Sequence, residues 1–310
     1  MKKKHWLIYA AITTIFWGVW GALISMPEKA GFPGTLIYVV WAITMIIPAI
    51  FALKHINWKL EKDFKSILYG SIIGLLGAGG QLILFTGAIV NGPAYLIFPI
   101  ISLSPIITIL LSVIFLGEKA SKLGWIGVIL AIIAIPFLSY QDPDGNTSGY
   151  VWLIYALLVF LAWGLQAYFM RFANKIMKAE SIFFYMMITG LLFVPVALFM
   201  TDFTQDINYG LEGPYLAFAI QILNAIGALT LVYAFRYGKA IIVSPLTNAV
   251  APVMTVAISL LIYQVFPHYL IFIGMLLAVG SMFVLSFEDD SEEENEATVD
   301  DNKQSDNLKK

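Results

Sequence analysis

Cysteine is absent from this 310-residue chain, and histidine occurs only three times. Without cysteine there is no disulfide framework, no thiol nucleophile and no thiolate metal ligand. His5, His55 and His268 fall at segment ends or in loops, so a histidine-based metal site is not expected. Charge is scarce as well: 12% of residues are charged and 60% are apolar. An average soluble globule carries roughly 25% charged and about 45–50% apolar residues. With a mean hydropathy of +0.83, this chain has too few polar side chains to coat a water-facing surface. It reads as an integral membrane protein. No basic domain of the kind that binds nucleic acid is present. Residues 288–310 hold ten acidic and three basic side chains, so the remainder is mildly positive under the net charge of −2.

What the chain does have is long apolar runs. A helix needs about 20 mostly apolar residues to cross the hydrocarbon core. Ten stretches qualify, near 5–25, 34–53, 66–89, 93–116, 122–140, 148–170, 181–201, 213–235, 240–265 and 269–287. None holds an acidic residue in its interior. Lys2, Lys3 and Lys4 ahead of the first run resemble the start of a signal peptide. The run is long, however, contains Trp6, Trp17 and Trp20, and is followed by no small-residue cleavage site, so an uncleaved first helix is expected.

Lysine and arginine set the direction of insertion. With alternating loops, one side receives every Lys and Arg except Lys29. That places both termini in the cytoplasm and the protein in the plasma (inner) membrane. The tail from Glu288-Asp289-Asp290 is too acidic and too poor in apolar residues to fold, and is expected to be disordered.

The chain also repeats itself. A shift of about 146 residues lays Phe16-Trp17-Gly18 on Ala162-Trp163-Gly164, Gly92-Pro93-Ala94 on Gly238-Lys239-Ala240, and Pro99 on Pro245. One further residue of shift pairs Pro48 with Pro195, Pro105 with Pro252 and Gly127 with Gly274. Helix-interior proline is uncommon, because it removes a backbone hydrogen bond and clashes with the preceding turn. Paired prolines therefore argue for duplication. Five spans per half is an odd number, so the second half is expected to lie upside down relative to the first. The expected fold is all-α and membrane-integral, ten helices as two inverted five-helix repeats over 1–142 and 143–287, with residues 288–310 as a tail. Inverted repeats underlie alternating access in secondary transporters.

These residues carry a resemblance to a known family. Phe16-Trp17-Gly18 echoed by Trp163-Gly164, the proline-containing fourth span closing on Leu116-Gly117-Glu118, the short linkers after spans 3 and 8, and the doubled layout resemble the drug/metabolite transporter superfamily, specifically its EamA-type members. The resemblance covers residues 5–287 and implies export or uptake of small metabolites or drugs. One departure stands out: where the second half should close with another Leu-Gly-Glu, it reads Ile262-Tyr263-Gln264. Asymmetric gates or simple drift of a helix cap both fit that change.

Polar groups inside spans are costly and usually face the bundle interior or a water-filled cavity. On that ground a central cavity is expected between spans 1, 3, 4, 6, 8 and 9. Trp17, Trp20, Tyr95 and Trp163 would form its aromatic wall, and Gln81, Ser102, Gln166, Asn224 and Asn248 its hydrogen-bonding groups. Pro99, Pro105, Pro245 and Pro252 would serve as hinges, since a proline frees a carbonyl and bends its helix. The polar residues equally fit interhelical glue. The glycines Gly70, Gly74, Gly77, Gly79 and Gly80 read as a close-packing surface, because no Lys-Ser/Thr follows to make a phosphate loop. Such a cavity suits neutral, zwitterionic or partly aromatic solutes of amino-acid or nucleoside type. With no mid-bilayer cation, phosphorylated substrates are disfavoured, and no Walker motif points to ATP. No cofactor is implied. The expected partners are a small-molecule substrate and the lipid bilayer, without nucleic acid; an oligomer is not indicated. A sugar or other metabolite importer of similar layout remains open. A membrane-embedded enzyme finds no cluster of acid, base, nucleophile or metal ligand near the bilayer.

Overall fold

A computed structural model describes residues 5–92, 94–117, 122–138, 140, 149–264 and 268–286. The acidic tail, Lys2 to Lys4, Pro93 and Glu118 lie outside the described residues, as do the side chains of Tyr95, Pro245, Asn248 and Pro252. Every regular element among the described residues is helical. Seven helical segments are long and apolar enough to cross a membrane: Trp6–Lys29, Gly34–His55, Phe64–Asn91, Leu96–Leu116, Val151–Ala173, Ala179–Phe199 and Leu211–Tyr237. The remaining expected spans coincide with α9 (Lys122–Leu138), α14 (Ala240–Tyr263) and α15 (Tyr269–Ser286).

Local chemistry explains where the segments break. The first comprises α1 (His5–Leu23) and a short α2 (Met26–Lys29) that opens on Pro27. The second is α3 (Gly34–Thr44) and α4 (Ile46–His55), which part at Met45, three residues before Pro48. The third is α5 (Phe64–Ile83), a π-helical turn over Leu84–Ala88, and α6 (Ile89–Asn91). Asp63 caps α5, accepting from the Ser66 hydroxyl at 2.6 Å and from its backbone N–H at 3.1 Å. Those bonds hold the Asp63 carboxyl below the usual carboxylate range.

The fourth segment is cut into α7 (Ala94–Ile101) and α8 (Pro105–Leu116). Pro105 has no N–H to give, and its ring would strike the carbonyl four residues back. Ser104 N–H turns to Ile101 O at 3.0 Å, and Leu103 N–H to Ile100 O at 3.1 Å, tightening the chain to three-residue turns. By contrast α14 runs unbroken through Pro245 and Pro252. Of the expected hinge pairs, Pro99 and Pro245 both lie inside helices, whereas Pro105 opens one and Pro252 lies inside another. Both helices nonetheless end alike, on a left-handed residue: Gly117 at φ 69° after α8 and Gln264 at φ 51° after α14. The divergent closing motif therefore retains the cap geometry without its glycine.

The second half contains α10 (Val151–Ala173), α11 (Ala179–Leu192), α12 (Val194–Phe199) and α13 (Leu216–Tyr237), the last preceded by a π-helical turn over Leu211–Tyr215. Pro195 opens α12, as Pro105 opens α8.

The halves meet along two seams. In one, α1 and α3 pack on α13 and α14; in the other, α10 and α11 pack on α5 and α8. Equivalent contacts recur across them. Trp17 lies against Gly227, where an added methyl group would sit 2.5 Å from the indole Nε1. Trp163 lies against Gly80, where the same methyl would sit 2.6 Å from Nε1. Thr255 donates to Gly18 O at 3.1 Å, and Thr108 donates to Gly164 O at 3.0 Å. A methyl on Gly18 would meet Met254 Cβ at 2.8 Å, and one on Gly164 would meet Ile107 Cβ at 2.6 Å. Each pair maps onto the other by the repeat shift read in the sequence. The glycines of α5 do act as a packing surface: Gly70 faces Tyr185, Gly74 faces Thr189 and Gly77 faces Gln166, while Gly79 has no neighbour within 4 Å. Small residues let backbones approach where apolar burial gives no driving force.

Candidate functional site

Where the seams converge, the bundle holds a cavity of about 70 Å³, several times the roughly 10–15 Å³ that one ordered water needs. Six of the expected site residues border it: Trp17, Trp20, Gln81, Trp163, Gln166 and Asn224. Ser102 does not. Its hydroxyl donates to Phe98 O, four residues back in α7, at 2.5 Å, and Ser104, two residues on, lines the cavity instead. The break before Pro105 turns Ser104 inward. Tyr95 and Asn248 belong to the side chains outside the described set.

The lining also includes residues the sequence reading passed over. Trp41 and Met45 come from the second segment and Met186 from α11, neither of which was expected to face the pathway. Trp41 sits in an unrelieved apolar run, and only its repeat-seam neighbours reveal which way it points. Its indole Nε1 donates to Asn224 Oδ1 at 2.7 Å. Trp20 Nε1 likewise donates to Gln221 Oε1 at 2.9 Å, and Trp17 Nε1 to Asn224 O at 3.3 Å. An indole N–H is a donor only, so each amide turns its oxygen toward the ring. Three tryptophans of the first half are thereby tied to α13. Trp20 also meets Phe98 edge-on, with ring centroids 5.6 Å apart.

The opposite wall is organised differently. Gln81 is 3% exposed, and among the described residues its Nε2 has no hydrogen-bond partner. Trp163 rests on Gly80 and Gln166 on Gly77. Among the described residues that line it, none carries a charge. The cavity therefore offers four indoles, a few amides and hydroxyls, and apolar side chains.

The lining follows the helices toward the lysine-rich end of the bundle. On α13 it descends through Asn224, Ala228, Leu231 and Phe235, and on α14 it includes Ser244 and Thr247 near the helix start. At the other end the connections clasp one another. Asn208 donates from its backbone to Gly31 O at 3.0 Å and from Nδ2 to Ala30 O at 2.8 Å, and Thr201 donates to Thr35 Oγ1 at 2.7 Å. Glu180, 8% exposed, accepts from Tyr233 at 2.9 Å at the lysine-rich end and does not line the cavity. It directly precedes the expected span 181–201, so its burial was not visible from the span boundaries. Among the described residues no group of three or more His, Cys, Asp or Glu could hold a metal ion.

Comparison with known proteins agrees with this architecture. The EamA-like transporter family matches twice, over residues 4–140 and 150–287. Protein LicB of Haemophilus influenzae is 22% identical over 301 residues, covering 91% of this chain and 97% of LicB. The uncharacterized protein MJ1333.1 of Methanocaldococcus jannaschii is 32% identical over 136 residues, 44% of this chain and 97% of its own length. A protein of known crystal structure superposes with a TM-score of 0.67 at 17% identity, covering 90% of this chain and 98% of that one. At that identity the likeness speaks for the fold alone.

Proposed function

The chain belongs to the EamA-like transporter family, and on that premise we propose that it is a secondary transporter that moves small organic solutes by alternating access, in the direction of export. In this reading ten spans form two antiparallel five-helix halves, with both termini in the cytoplasm of the cell whose plasma membrane holds it. The halves rock about the cavity, exposing it to one side at a time. The observation that carries the reading is an uncharged cavity placed where the duplicated seams converge. A site at the junction of two similar halves is where exchange of their conformations alternates access.

The lining supports a substrate class. Indole faces attract apolar and aromatic groups, and they attract diffuse organic cations through the ring quadrupole. With four of them and no basic group, the cavity suits neutral, zwitterionic or organic-cationic solutes and disfavours phosphorylated ones. The cavity extends toward the lysine-rich end, which the distribution of positive charge assigns to the cytoplasm. An exporter loads its solute from that side.

Purified protein in liposomes, presented with a pooled set of metabolites on one face, should deplete particular solutes from that pool. Trp163→Ala should abolish most of that flux. If no solute crosses faster than in protein-free vesicles, the transport reading is wrong. Reporter fusions within the loops carrying Lys59 and Lys175 should report cytoplasmic placement.

A further inference from the structure

Three of the cavity's four tryptophans have spent their N–H groups on α13. Trp17 and Trp41 bond to Asn224, and Trp20 bonds to Gln221. Trp163 is the fourth, and among the described residues its Nε1 has no partner. It lies against Gly80, the residue that precedes Gln81 on α5, and both Trp163 and Gln81 line the cavity. Gln81 is 97% buried by its 3% exposure, borders the cavity, and its Nε2 is likewise unpartnered. Leaving a buried amide N–H unsatisfied costs about 1–3 kcal/mol, a cost that a bound acceptor removes. At Asn224 the oxygen is held by Trp41, which turns the nitrogen of that amide away from the ring. In this corner Gln81 Nε2 and Trp163 Nε1 are therefore donors for which no protein acceptor is found among the described residues, beside the amide of Gln166.

We infer that the corner formed by Gln81 and Trp163 is an oxygen-binding subsite, which takes a carboxylate or carbonyl oxygen of the solute by donation from Gln81 Nε2 and Trp163 Nε1. This rests on the transport reading and narrows it. The solute carries an acceptor oxygen at one end, and its apolar or cationic remainder lies against the indole faces. Glycine at position 80 belongs to the same device, since any side chain there would displace the Trp163 ring. The subsite draws on both halves of the chain, so a bound solute bridges the seam at the level of the cavity.

A matched probe series tests it: L-phenylalanine, L-phenylalaninamide and phenethylamine share a ring and an amine and differ only in the oxygen group. Affinity is read by thermal stabilisation of the full chain in detergent. The two oxygen-bearing probes should bind at least about tenfold more tightly than phenethylamine. Preference for phenylalanine identifies the carboxylate as the recognised group, and equal binding of the amide identifies the carbonyl. Gln81→Leu should weaken both oxygen-bearing probes about tenfold and leave phenethylamine unchanged, while the melting temperature of the unliganded protein holds or rises. Trp163→Phe, which retains a ring face but not the N–H, should weaken them several-fold. Equal loss of all three probes in Gln81→Leu would mean general damage to the cavity and would overturn the inference. Failure of all three to stabilise a wild-type protein that still moves another solute in liposomes would also overturn it. A wild-type protein that moves nothing from the pooled metabolites refutes the transport reading instead.

Discussion

The two seams of this molecule are built from equivalent contacts but tied to different degrees. Where α1 and α3 meet α13 and α14, Trp17, Trp20 and Trp41 all donate to α13, Thr13 bonds Gly227 O at 3.1 Å and Thr230 at 2.7 Å, and Thr255 bonds Gly18 O. Where α10 and α11 meet α5 and α8, Thr108 to Gly164 is the hydrogen bond between helix bodies among the described residues, and the other ties gather at one end, where Glu61 ahead of α5 bonds Lys178, Ser181 and Tyr185. Among the described residues Gln81 Nε2 has no partner there, and Trp163 rests on Gly80. Duplication supplied one frame twice. One copy of the frame is bonded as a clamp, and the other leaves polar groups on the cavity wall. The proposed alternating access would use both: one joint that holds its register, and one whose closure depends on what is bound.

The largest expected effect comes from blocking the tryptophan–glycine contacts. In Gly227→Ala the new methyl falls 2.5 Å from Trp17 Cδ1 and Nε1, and Trp17 is held by its bond to Asn224 O. The ring has no easy retreat, so the loss of stability should be about 2–3 kcal/mol, seen as a lower melting temperature in detergent. Gly80→Ala makes the equivalent clash with Trp163, but that ring is untethered and borders open space. It should swing into the cavity, with a smaller loss of stability and a greater loss of transport. Equal melting temperatures for the two variants would break the proposed difference between the seams.

An intermediate effect is expected at the clamp itself. Trp20→Phe leaves Gln221 Oε1 unbonded in a side chain that is fully buried, beside an Nε2 that already lacks a partner. The cost should be about 1–2 kcal/mol. Adding Gln221→Leu in that background should recover much of it, because removing both partners of a buried pair is far less costly than removing one. A double variant no more stable than Trp20→Phe would show that ring packing, not the hydrogen bond, makes the clamp.

Much of this was legible in the sequence, for identifiable reasons. Trp17, Trp163 and the prolines at 48, 105 and 195 announced the duplication because such residues in a helix are conspicuous. Gln81, Gln166 and Asn224 stood out because an amide in an apolar run must find a use. Trp41 was missed because a tryptophan among Val40, Ala42 and Ile43 has no contrast with its surroundings; a rotation of the helix would send it to lipid instead. Ser102 was misplaced relative to the cavity because its position assumed a continuous helix. Once the chain tightens over Ser102 to Ser104, the facing residue moves two places along. The shift between Pro105 and Pro252 hid a further difference, since one proline opens a helix and the other lies inside an unbroken one. Proline fixes φ and removes a donor, but neighbouring packing decides whether the helix then breaks.

The smallest effect concerns the closing caps of α8 and α14. Both end on a left-handed residue, yet the second uses Gln264 at φ 51°, where the first uses Gly117. For a residue with a Cβ, the left-handed conformation costs roughly 1–2 kcal/mol. Gln264→Gly removes that cost but adds conformational freedom to the unfolded chain, worth about 0.4–1 kcal/mol in the other direction. The balance should be a gain of about 0.5 kcal/mol with flux unchanged, if position 264 serves only to end its helix. Reduced transport in a stabilised Gln264→Gly protein would instead give the glutamine side chain a part in gating, and would extend the asymmetry of the two seams to the ends of the helices that flank them.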